Sequence, residues 1–194
     1  MSGIAIIGAG GHGRVVASVL QASNASVAGF IDSGVKNDLP FPLLGSDDDV
    51  PALIKAGTIS SFVIGLGSVK GGPSVRAKLF DKMIGLGLAP AVAIHPIAIL
   101  SPGVKLGAGC VVMAGAIINT GTTVGKNSII NTGAIIDHDG DIGEHVHIAP
   151  GVTLSGNVTI GDHSLIGVGS TIRQGITIGK NVTLLPAAIT HGGL

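Results

Sequence analysis

The 194-residue sequence lacks features on which several classes of function depend. Basic and acidic residues number 11 each, and a zero net charge without a basic block argues against binding to nucleic acid or an anionic membrane. The one cysteine, Cys110, excludes an intramolecular disulfide and a cysteine-based metal site. No apolar run approaches the roughly 18 residues of a membrane span, and no charged segment or cleavage site precedes the first apolar run. We therefore expect a cytoplasmic protein.

Aromatic residues are also scarce, with no tryptophan, no tyrosine and four phenylalanines, whereas glycine is abundant at 33 residues. The core must therefore be built from isoleucine, valine, leucine and alanine, and many backbone positions are expected at positive φ. The apolar fraction of 45% is too high for a disordered chain.

Residues 1–93 alternate strand-like and helix-like segments. This alternation is typical of a small parallel sheet with helices on its faces, and it predicts a Rossmann-like α/β half domain that ends near residue 93. The predicted strands are 3–9, 26–32 and 60–67, and the predicted helices are 11–22, 48–57 and 74–87.

Residues 94–194 follow a different rule, a repeat of six residues. Every sixth residue from Ile94 to Leu184 is Ile, Leu or Val, sixteen in all, and no insertion breaks the register. Three positions after these, fourteen of sixteen residues are Gly, Asn, Asp or His, the types that best tolerate the left-handed backbone region. Each hexad is therefore predicted to hold a short strand and a turn.

A second period of 18 residues is superimposed on the hexads. Five glycines follow an apolar position at this spacing: Gly107, Gly125, Gly143, Gly161 and Gly179. Three hexads therefore close one coil, which predicts a triangular parallel β-helix over residues 94–194. Its apolar and small positions point inward, so Cys110 is interpreted as a core residue.

The segment GAGGHG (8–13) follows the first strand and opens the first helix. Its glycines fit the pattern G-x-G-x-x-G, which lets backbone amides and a helix N-terminus approach a pyrophosphate. Asp32, at the end of the second strand, is placed to bind a ribose hydroxyl. About 90 residues provide one mononucleotide half, so a nucleotide attached to a sugar fits better than a dinucleotide. The alternative is a tight turn without a ligand.

The segment NTGAIIDHDGDIGEHVHIAPG (131–151) contains three histidines among several acidic residues. His138 stands directly before a left-handed position, between Asp137 and Asp139. Its neighbours one coil away, Thr120 and Gly156, are small and leave room for a ligand. This arrangement suits a general base held by a carboxylate, and the alternative is a solvated corner histidine.

The other histidines of the repeat have different predicted roles. His145 and His163 are 18 residues apart at turn positions, so they are expected to stack in adjacent coils at about 4.8 Å. His147 ends its hexad and is a second candidate near the same edge as His138. A zinc site is not expected, because three imidazoles must converge on the metal and no histidine stands two coils from His138.

GAGGHG in a small domain, followed by hexapeptide repeats with NTGAIIDHD, resembles the bacterial nucleotide-sugar acetyltransferases. These enzymes N-acetylate UDP- or GDP-linked 4-amino sugars of the bacillosamine or perosamine type, and sialic acid O-acetyltransferases are their relatives. The resemblance spans nearly the whole chain. It implies a left-handed β-helix, acetyl-CoA as co-substrate, an N-terminal domain that holds the nucleotide sugar, and a homotrimer with active sites between subunits, in polysaccharide biosynthesis.

The resemblance also implies roles for individual residues. His138 matches the catalytic base, which accepts a proton from the sugar amine as the amine attacks the thioester, and Asp139 matches the carboxylate that orients it. A backbone N–H such as that of Gly156 would stabilise the oxyanion. No metal is expected. The implied acetyl-CoA site comprises Asn131, His147, Gly156 and Gly167, and the implied nucleotide-sugar site comprises Gly10, Gly11, His12, Asp32 and Gly65.

Two other functions remain open at this point. A sugar O-acetyltransferase would use His138 in the same way on a hydroxyl group. A trimer that binds nucleotide sugar without catalysis is the third possibility. It is suggested because the relatives continue past the last hexad into a GVPAK-like tail that helps to hold CoA, whereas this chain ends in TLLPAAITHGGL.

Overall fold

A computed structural model describes residues 2–34, 38–68 and 72–190 of the chain. Its N-terminal part is a parallel sheet flanked by helices. The strands of this sheet are β1 (Gly3–Ile7), β2 (Val27–Ile31), β3 (Leu43–Gly45), β4 (Ile59–Ile64) and β5 (Ala89–Pro90), and the helices are α1 (Gly11–Ala22), α2 (Val50–Lys55) and α3 (Gly72–Gly85). The strand order is β3-β2-β1-β4-β5. The carboxyl ends of the central strands, where ligands bind in open α/β sheets, therefore lie side by side.

The sequence predicted this sheet only in part. Helix α1 is found with its predicted bounds, whereas α2 is shorter than predicted and α3 begins and ends two residues earlier. The outermost strands β3 and β5 were missed. Pro40 and Pro42 precede β3 and Pro90 lies within β5, and proline argues against a strand unless the strand is at a sheet edge, as both are.

As far as it is described, to residue 190, the second part consists of seventeen strands of two residues each. All of them end on an apolar hexad position except the last, which ends on Thr190. They are β6 (Ala93–Ile94), β7 (Ile99–Leu100), β8 (Lys105–Leu106), β9 (Val111–Val112), β10 (Ile117–Ile118), β11 (Thr123–Val124), β12 (Ile129–Ile130), β13 (Ile135–Ile136), β14 (Asp141–Ile142), β15 (His147–Ile148), β16 (Thr153–Leu154), β17 (Thr159–Ile160), β18 (Leu165–Ile166), β19 (Thr171–Ile172), β20 (Thr177–Ile178), β21 (Thr183–Leu184) and β22 (Ile189–Thr190).

These strands form three parallel sheets, which are the faces of a triangular coil. The first face contains β6, β9, β12, β15, β18 and β21, the second contains β7 and every third strand after it, and the third contains β8 and every third strand after it. We name each corner by the two faces that it joins. The predicted fold class, an α/β domain followed by a left-handed parallel β-helix, is confirmed.

The turn column agrees with the sequence pattern. All fourteen predicted turn residues have positive φ, and Ala187 joins them with φ 56°. The non-glycine members of the column lie between 51° and 60°. These residue types therefore stand where the corner requires the left-handed conformation.

The structure also explains the glycines that recur every 18 residues. At these positions the backbone of the next coil lies against the glycine Cα. A Cβ added to Gly125 would be 2.5 Å from the carbonyl carbon of Gly143, and one added to Gly161 would be 2.6 Å from that of Gly179. A side chain is therefore excluded by the stacking of coils.

The interior of the β-helix is a column of Ile, Val and Leu side chains. Cys110 belongs to it with no exposed surface, and its Sγ donates to the carbonyl oxygen of Gly125 at 3.0 Å. Burial raises the pKa of this thiol to about 11. Cys110 is thus a core residue and not a nucleophile, as interpreted from its position.

The three faces differ in what they present outward. On the first face, Ala93 and Val111 pack with α1 of the α/β domain in one shared apolar cluster. The second face presents isoleucines, among which Ile99 is 57%, Ile135 37% and Ile189 63% exposed. The third face presents Lys105, Asp141 and threonines.

No helix among the described residues is long and apolar enough to span a bilayer.

Candidate active site

The glycine turn between β1 and α1 opens onto a cavity. Gly8 has φ 102°, and a Cβ at Gly13 would collide with the Gly8 carbonyl oxygen, so these two glycines permit the tight turn. Gly10 and Gly11 face open space instead. Gly10 is the N-cap of α1 and no side chain caps the helix. The first N–H groups of the helix are therefore open to an anionic ligand.

Asp32 lies against this turn at the end of β2. Its Oδ2 accepts from the N–H of Ala9 at 2.7 Å, and its Oδ1 accepts from the N–H of Gly34 at 2.8 Å. The carboxylate thus fixes the glycine turn, a role that the sequence did not predict. The expected bond to a ribose hydroxyl stays a prediction.

Two cavities lie on either side of Asp32. The larger one, about 570 Å³, brings all five predicted nucleotide-sugar residues together and is lined by Gly8, Gly10, Gly11, His12, Asp32, Gly65, Leu66 and Gly67. The smaller one, about 310 Å³, extends from Gly8, Asp32 and Leu66 to Ser46, Asp47 and Asp48. The two cavities share Gly8, Asp32 and Leu66 and extend across the carboxyl ends of β1, β2 and β4, where an elongated ligand could lie.

A third cavity of about 510 Å³ lies between the first face of the β-helix and the α/β domain. Three of the four residues predicted for acetyl-CoA, Asn131, His147 and Gly167, line it. The other lining residues are mostly apolar: His12, Gly67, Ala149, Pro150, Leu165, Val168, Thr183, Leu184, Leu185 and Pro186. Gly167 cannot carry a side chain, because a Cβ would be 2.6 Å from the Leu184 carbonyl oxygen.

The glycine-turn cavity and the apolar cavity meet at His12 and Gly67, which line both. The ring of His12 lies 6.1 Å from that of His147 between centroids. Burial, and next the charge of Arg76, lowers the pKa of His12 to about 4. Its Nε2 is buried and has no hydrogen-bond partner among the described residues. A neutral imidazole thus stands at the junction of the two cavities.

His147 is held from both sides. The N–H of Ser68 donates to its Nδ1 at 3.3 Å, and the amide nitrogen of Asn131 lies 3.0 Å from its Nε2. The Oδ1 of Asn131 accepts from the N–H of Thr132, which fixes the orientation of the amide. Burial first, and then the charge of Arg76, lowers the pKa of His147 to about 3, so the ring is neutral.

This arrangement has a chemical consequence. A neutral imidazole has one nitrogen without a hydrogen, so it can accept from Ser68 at Nδ1 or from Asn131 at Nε2, but not from both. In either case Asn131, whose Oδ1 is occupied by Thr132, keeps an N–H group at the wall of the apolar cavity. A carbonyl oxygen in this cavity could accept from it.

His138 lies on the corner between the second and third faces. Its Nδ1 is 2.8 Å from Oδ2 of Asp139, and its side chain is 47% exposed. The hydrogen bond to Asp139 raises the pKa of His138 above its ordinary value. With Asp139 accepting from Nδ1–H, the neutral ring presents its Nε2 lone pair, as a general base requires. Asp139 also has φ 58°, so it serves both the turn and the imidazole.

Hydrogen bonds that involve the preceding coil hold this corner in place. The amide of Asn119 donates to Oδ1 of Asp137 at 3.0 Å, and the same Oδ1 accepts from the N–H of His138 at 2.8 Å. These bonds, that of Asn119 foremost, lower the pKa of Asp137. Asp137 therefore fixes the backbone of His138, while Asp139 orients the ring.

The ring of His138 packs directly against Gly156. A Cβ added to Gly156 would be 2.5 Å from Nε2 of His138 and 2.6 Å from its Cε1. The sequence-based expectation that the small residue one coil away leaves room for this imidazole is thus correct. Gly156 lies beside His138 and does not line the apolar cavity with the other predicted acetyl-CoA residues.

One expectation was wrong. His147 was placed near the same edge as His138, but it lies on the first face, whereas His138 lies on the opposite corner. The reason is that nine residues separate them, which is one and a half hexads, and each hexad moves the chain to the next face. In a single chain, His138 lines neither of the two large cavities.

His145 and His163 stack as predicted. The rings of His145 and His163 stack with centroids 4.9 Å apart and planes within 5°. His145 is buried against Phe80 of α3, and burial lowers its pKa to about 4. Among the described residues, no group of three or more His, Cys, Asp or Glu side chains could hold a metal ion.

Ser68 and Arg76 were missed by sequence reasoning. Both follow β4 in a stretch without a recognisable motif, and both become buried at the seam between the domains. Nothing in the local pattern could have indicated their contacts, because their partners are 79 and 51 residues further along the chain.

Comparisons with known proteins agree with this architecture. Residues 3–83 match the PglD N-terminal domain, residues 139–174 the bacterial transferase hexapeptide (six repeats), and residues 97–120 the hexapeptide repeat of succinyl-transferase. No curated protein matches significantly.

Several solved structures are similar over nearly the whole chain. PerB from Caulobacter crescentus, in complex with CoA and GDP-perosamine, is 36% identical with a TM-score of 0.94, covering 100% of this chain and 91% of its own. The acetyltransferase domain of PglB from Neisseria gonorrhoeae is 34% identical with a TM-score of 0.91, covering 98% of this chain and 92% of its own. The chain belongs to the nucleotide-sugar acetyltransferases of the hexapeptide-repeat superfamily.

Membership of this family explains why the two domains occur together. WeeI from Acinetobacter baumannii, at 22% identity and a TM-score of 0.73, has the same fold and covers 98% of this chain. In the present chain the glycine-turn cavity meets the apolar cavity, whereas the His138 corner lies apart from both.

Proposed function

We propose that this protein transfers the acetyl group of acetyl-CoA to the amino group of a nucleotide-linked 4-amino-4,6-dideoxy sugar. The observation that carries the proposal is the junction of the glycine-turn cavity with the apolar cavity at His12 and Gly67. A junction of this kind lets an acceptor in one cavity meet a donor in the other. The relative PerB, described with CoA and GDP-perosamine, supports the identity of both ligands.

The nucleotide sugar would lie across the α/β domain. The open N–H groups after Gly10 and Gly11 would bind its diphosphate, because the positive end of the helix dipole favours an anion. Asp32 and Gly65 line the same cavity, and His12 at its inner end would contact the sugar.

Acetyl-CoA would lie along the first face of the β-helix. The apolar cavity, which Gly167 lines, suits a pantetheine arm and an acetyl methyl group. The amide of Asn131, beside His147, would donate to the thioester carbonyl oxygen. This donor would strengthen its bond as negative charge develops on that oxygen in the transition state.

His138 would serve as the general base. The neutral sugar amine attacks the thioester carbonyl carbon, a C–N bond forms, and the C–S bond breaks. His138 accepts the proton that the amine loses and passes it to the departing CoA thiolate, so the products are the amide and free CoA. Asp139 stabilises the imidazolium that exists between these two steps.

This mechanism requires a second copy of the chain. His138 is on the corner opposite the first face, so it cannot reach the cavity junction of its own subunit. Ile99, Ile117 and Ile135 lie on consecutive coils of the second face and form an apolar strip that a neighbouring copy would cover. A homotrimer would bring the His138 of one subunit to the cavities of the next.

A CoA-release assay tests the proposal. Purified protein is mixed with acetyl-CoA and with UDP- or GDP-linked 4-amino sugars, or with the corresponding 4-hydroxy sugars. Free thiol is expected, together with a mass increase of about 42 Da on the amino sugar, since an acetyl group replaces one hydrogen. Release with hydroxy sugars only would favour an O-acetyltransferase. Binding of the nucleotide sugar without any release would indicate a protein that binds without catalysis.

The His138→Ala variant should lose acetylation while it keeps its affinity for the nucleotide sugar, because His138 lies outside the cavity that holds this ligand. His163→Asn is the matched control. It removes a histidine from a turn position where asparagine is accepted at Asn181, one coil further along. Full turnover by His138→Ala would refute the assignment of the base.

We also expect a cytoplasmic location and a role in polysaccharide assembly, since acetyl-CoA and nucleotide sugars are the substrates proposed. Fractionation of cells that express the protein would test the location.

A further inference from the structure

Arg76 lies in the seam between the two domains with only 1% of its surface exposed. Its Nη2 donates to the carbonyl oxygen of Asn127 at 2.6 Å and to the Oδ1 of Asn127 at 3.2 Å. The amide of Asn127 donates in return to the carbonyl oxygen of Arg76 at 3.4 Å. Helix α3 of the α/β domain is thus tied to the corner between the third and first faces of the β-helix.

Burial of the Arg76 guanidinium is unfavourable in free energy. No acidic residue in the described part of the chain lies within ion-pair distance, and its Nε and Nη1 have no partner there. Burial lowers its pKa to about 10, so the group still carries its charge at neutral pH. A buried charge of this kind is weak evidence for a role in stability alone.

The surroundings of Arg76 indicate another role. Three residues with contacts at the site shortly precede Arg76 in the chain. Gly65 and Gly67 line the glycine-turn cavity, and the N–H of Ser68 is bonded to His147. The titratable groups that feel the charge of Arg76 come from both domains: His12 of α1, and Cys110, His145 and His147 of the β-helix.

We propose that Arg76 is a positioning residue for the acetyl transfer. By clamping α3 on Asn127, it holds the Gly65–Ser68 segment against the β-helix, so that the glycine-turn cavity opens onto His147 and Ser68 stays in contact with that imidazole. This inference rests on the proposed function, and it adds a residue that lines none of the cavities.

The positive charge of Arg76 affects the protonation of His147. His147 is faced by Arg76 from α3, by His12 from α1 and by the uncharged amide of Asn131. A protonated His147 would turn an N–H toward the N–H of Ser68 and break the contact between the domains. The nearby charge of Arg76, added to burial, keeps His147 neutral and the contact intact.

Three variants distinguish the effect of the hydrogen bonds between Arg76 and Asn127 from the effect of the positive charge of Arg76. Arg76→Met removes both the charge and the bonds to Asn127 and keeps most of the apolar stem. Arg76→Lys keeps the charge and one donor group. Asn127→Gly removes the acceptor side chain and keeps the left-handed turn, since glycine occupies the same column at Gly109. Lys78→Met, an exposed lysine two residues along α3, is the matched control.

The measurements are kcat with acetyl-CoA and the amino sugar that wild type turns over, and the separate Kd of each ligand by calorimetry. Arg76→Met should lower kcat by about 10- to 100-fold while each Kd stays within about twofold, because most residues that line each cavity come from one domain and mainly the alignment of the two ligands is lost. Asn127→Gly should show the same split to a smaller degree, and Arg76→Lys should recover part of kcat. Lys78→Met should resemble wild type.

The pKa of His147, followed by NMR of labelled histidine, should rise in Arg76→Met and fall back in Arg76→Lys, which a purely structural loss would not produce. If Arg76→Met does not fold, the Lys and Gly variants give the same kinetic comparison. Wild-type turnover that all three variants keep would overturn the inference, and so would equal losses in kcat and both affinities. Absence of turnover in wild type itself would be a failure of the proposed function instead.

Discussion

The ring of His138 rests on the Cα of Gly156, one coil further along the β-helix, with no room for a side chain between them. A Cβ at Gly156 would be 2.5 Å from the Nε2 that is expected to take the proton. The base of the proposed reaction therefore has its position set by a contact below the ring as well as by Asp139 beside it.

Gly156→Ala is expected to tilt or displace this ring. Turnover should fall by about tenfold or more, since a 1 Å misplacement of a reacting group can cost about 100-fold. The fold should persist, because Gly156 is not at a positive φ. Gln174→Ala, in the same column one coil further, is the control and should keep wild-type kcat. An alanine variant as active as wild type would show that the ring position is not set by this contact.

Asp139→Asn should change the pH dependence of the reaction. The hydrogen bond to Asp139 raises the pKa of His138. A base works in its neutral form, so activity rises with pH through the pKa of His138, and this rise should centre above the ordinary value of about 6.5. With asparagine the rise should move to lower pH and the maximal rate should fall, because the base is weaker.

The measurement is kcat/KM from about pH 5 to 9 for both proteins. Asparagine is a matched replacement, since Asn127, Asn157 and Asn181 already hold positive φ at equivalent turns. An unchanged midpoint would mean that a group other than His138 governs the profile.

Ile135→Glu should prevent self-association. Ile135 points outward from the second face with 37% of its surface exposed, so a charge there leaves the core of the subunit intact but would be buried unpaired between subunits. Light scattering should show a smaller species than wild type, and acetylation should be lost with it. Thr159→Glu on the third face is the control and should change neither property.

The same idea predicts complementation between two inactive variants. His138→Ala and His147→Ala each remove one side of a site that spans two subunits. Mixed trimers formed by refolding the two together should regain part of the wild-type rate, because some sites would combine an intact His138 with an intact His147. Absence of any recovery in mixtures shown to form mixed trimers would place both histidines in one subunit's site.

Gly125→Ala tests the account of the 18-residue glycine period. The added methyl group would meet the backbone of Gly143 and Glu144 at about 2.5 Å, so the coils must separate. Overpacking of this kind costs about 1 to 3 kcal/mol and should lower the Tm. Gly85→Ala at the end of α3 meets nothing within 4 Å and should stabilise by about 0.5 to 1 kcal/mol. Equal effects of the two changes would contradict the explanation.

The sequence alone determined the β-helix, the coil length and the conformation of each turn. These features depend on local backbone geometry: an apolar residue every six positions fixes which side chains point inward, and Gly, Asn, Asp or His marks the left-handed corner. The same register was enough to separate His138 from the stacked turn histidines His145 and His163. It also identified GAGGHG as a turn that opens a helix.

Only the tertiary structure decided how the parts of the site face one another. The sequence could not place His12 beside His147, bury Arg76 on Asn127, or show that His138 and His147 lie on opposite sides of one subunit. Such contacts depend on how the α/β domain is oriented on the first face, and this orientation is set by apolar packing and hydrogen bonds between residues far apart in the chain. A periodic sequence determines the coil and the face on which each residue lies, but not which residues of the other domain contact it.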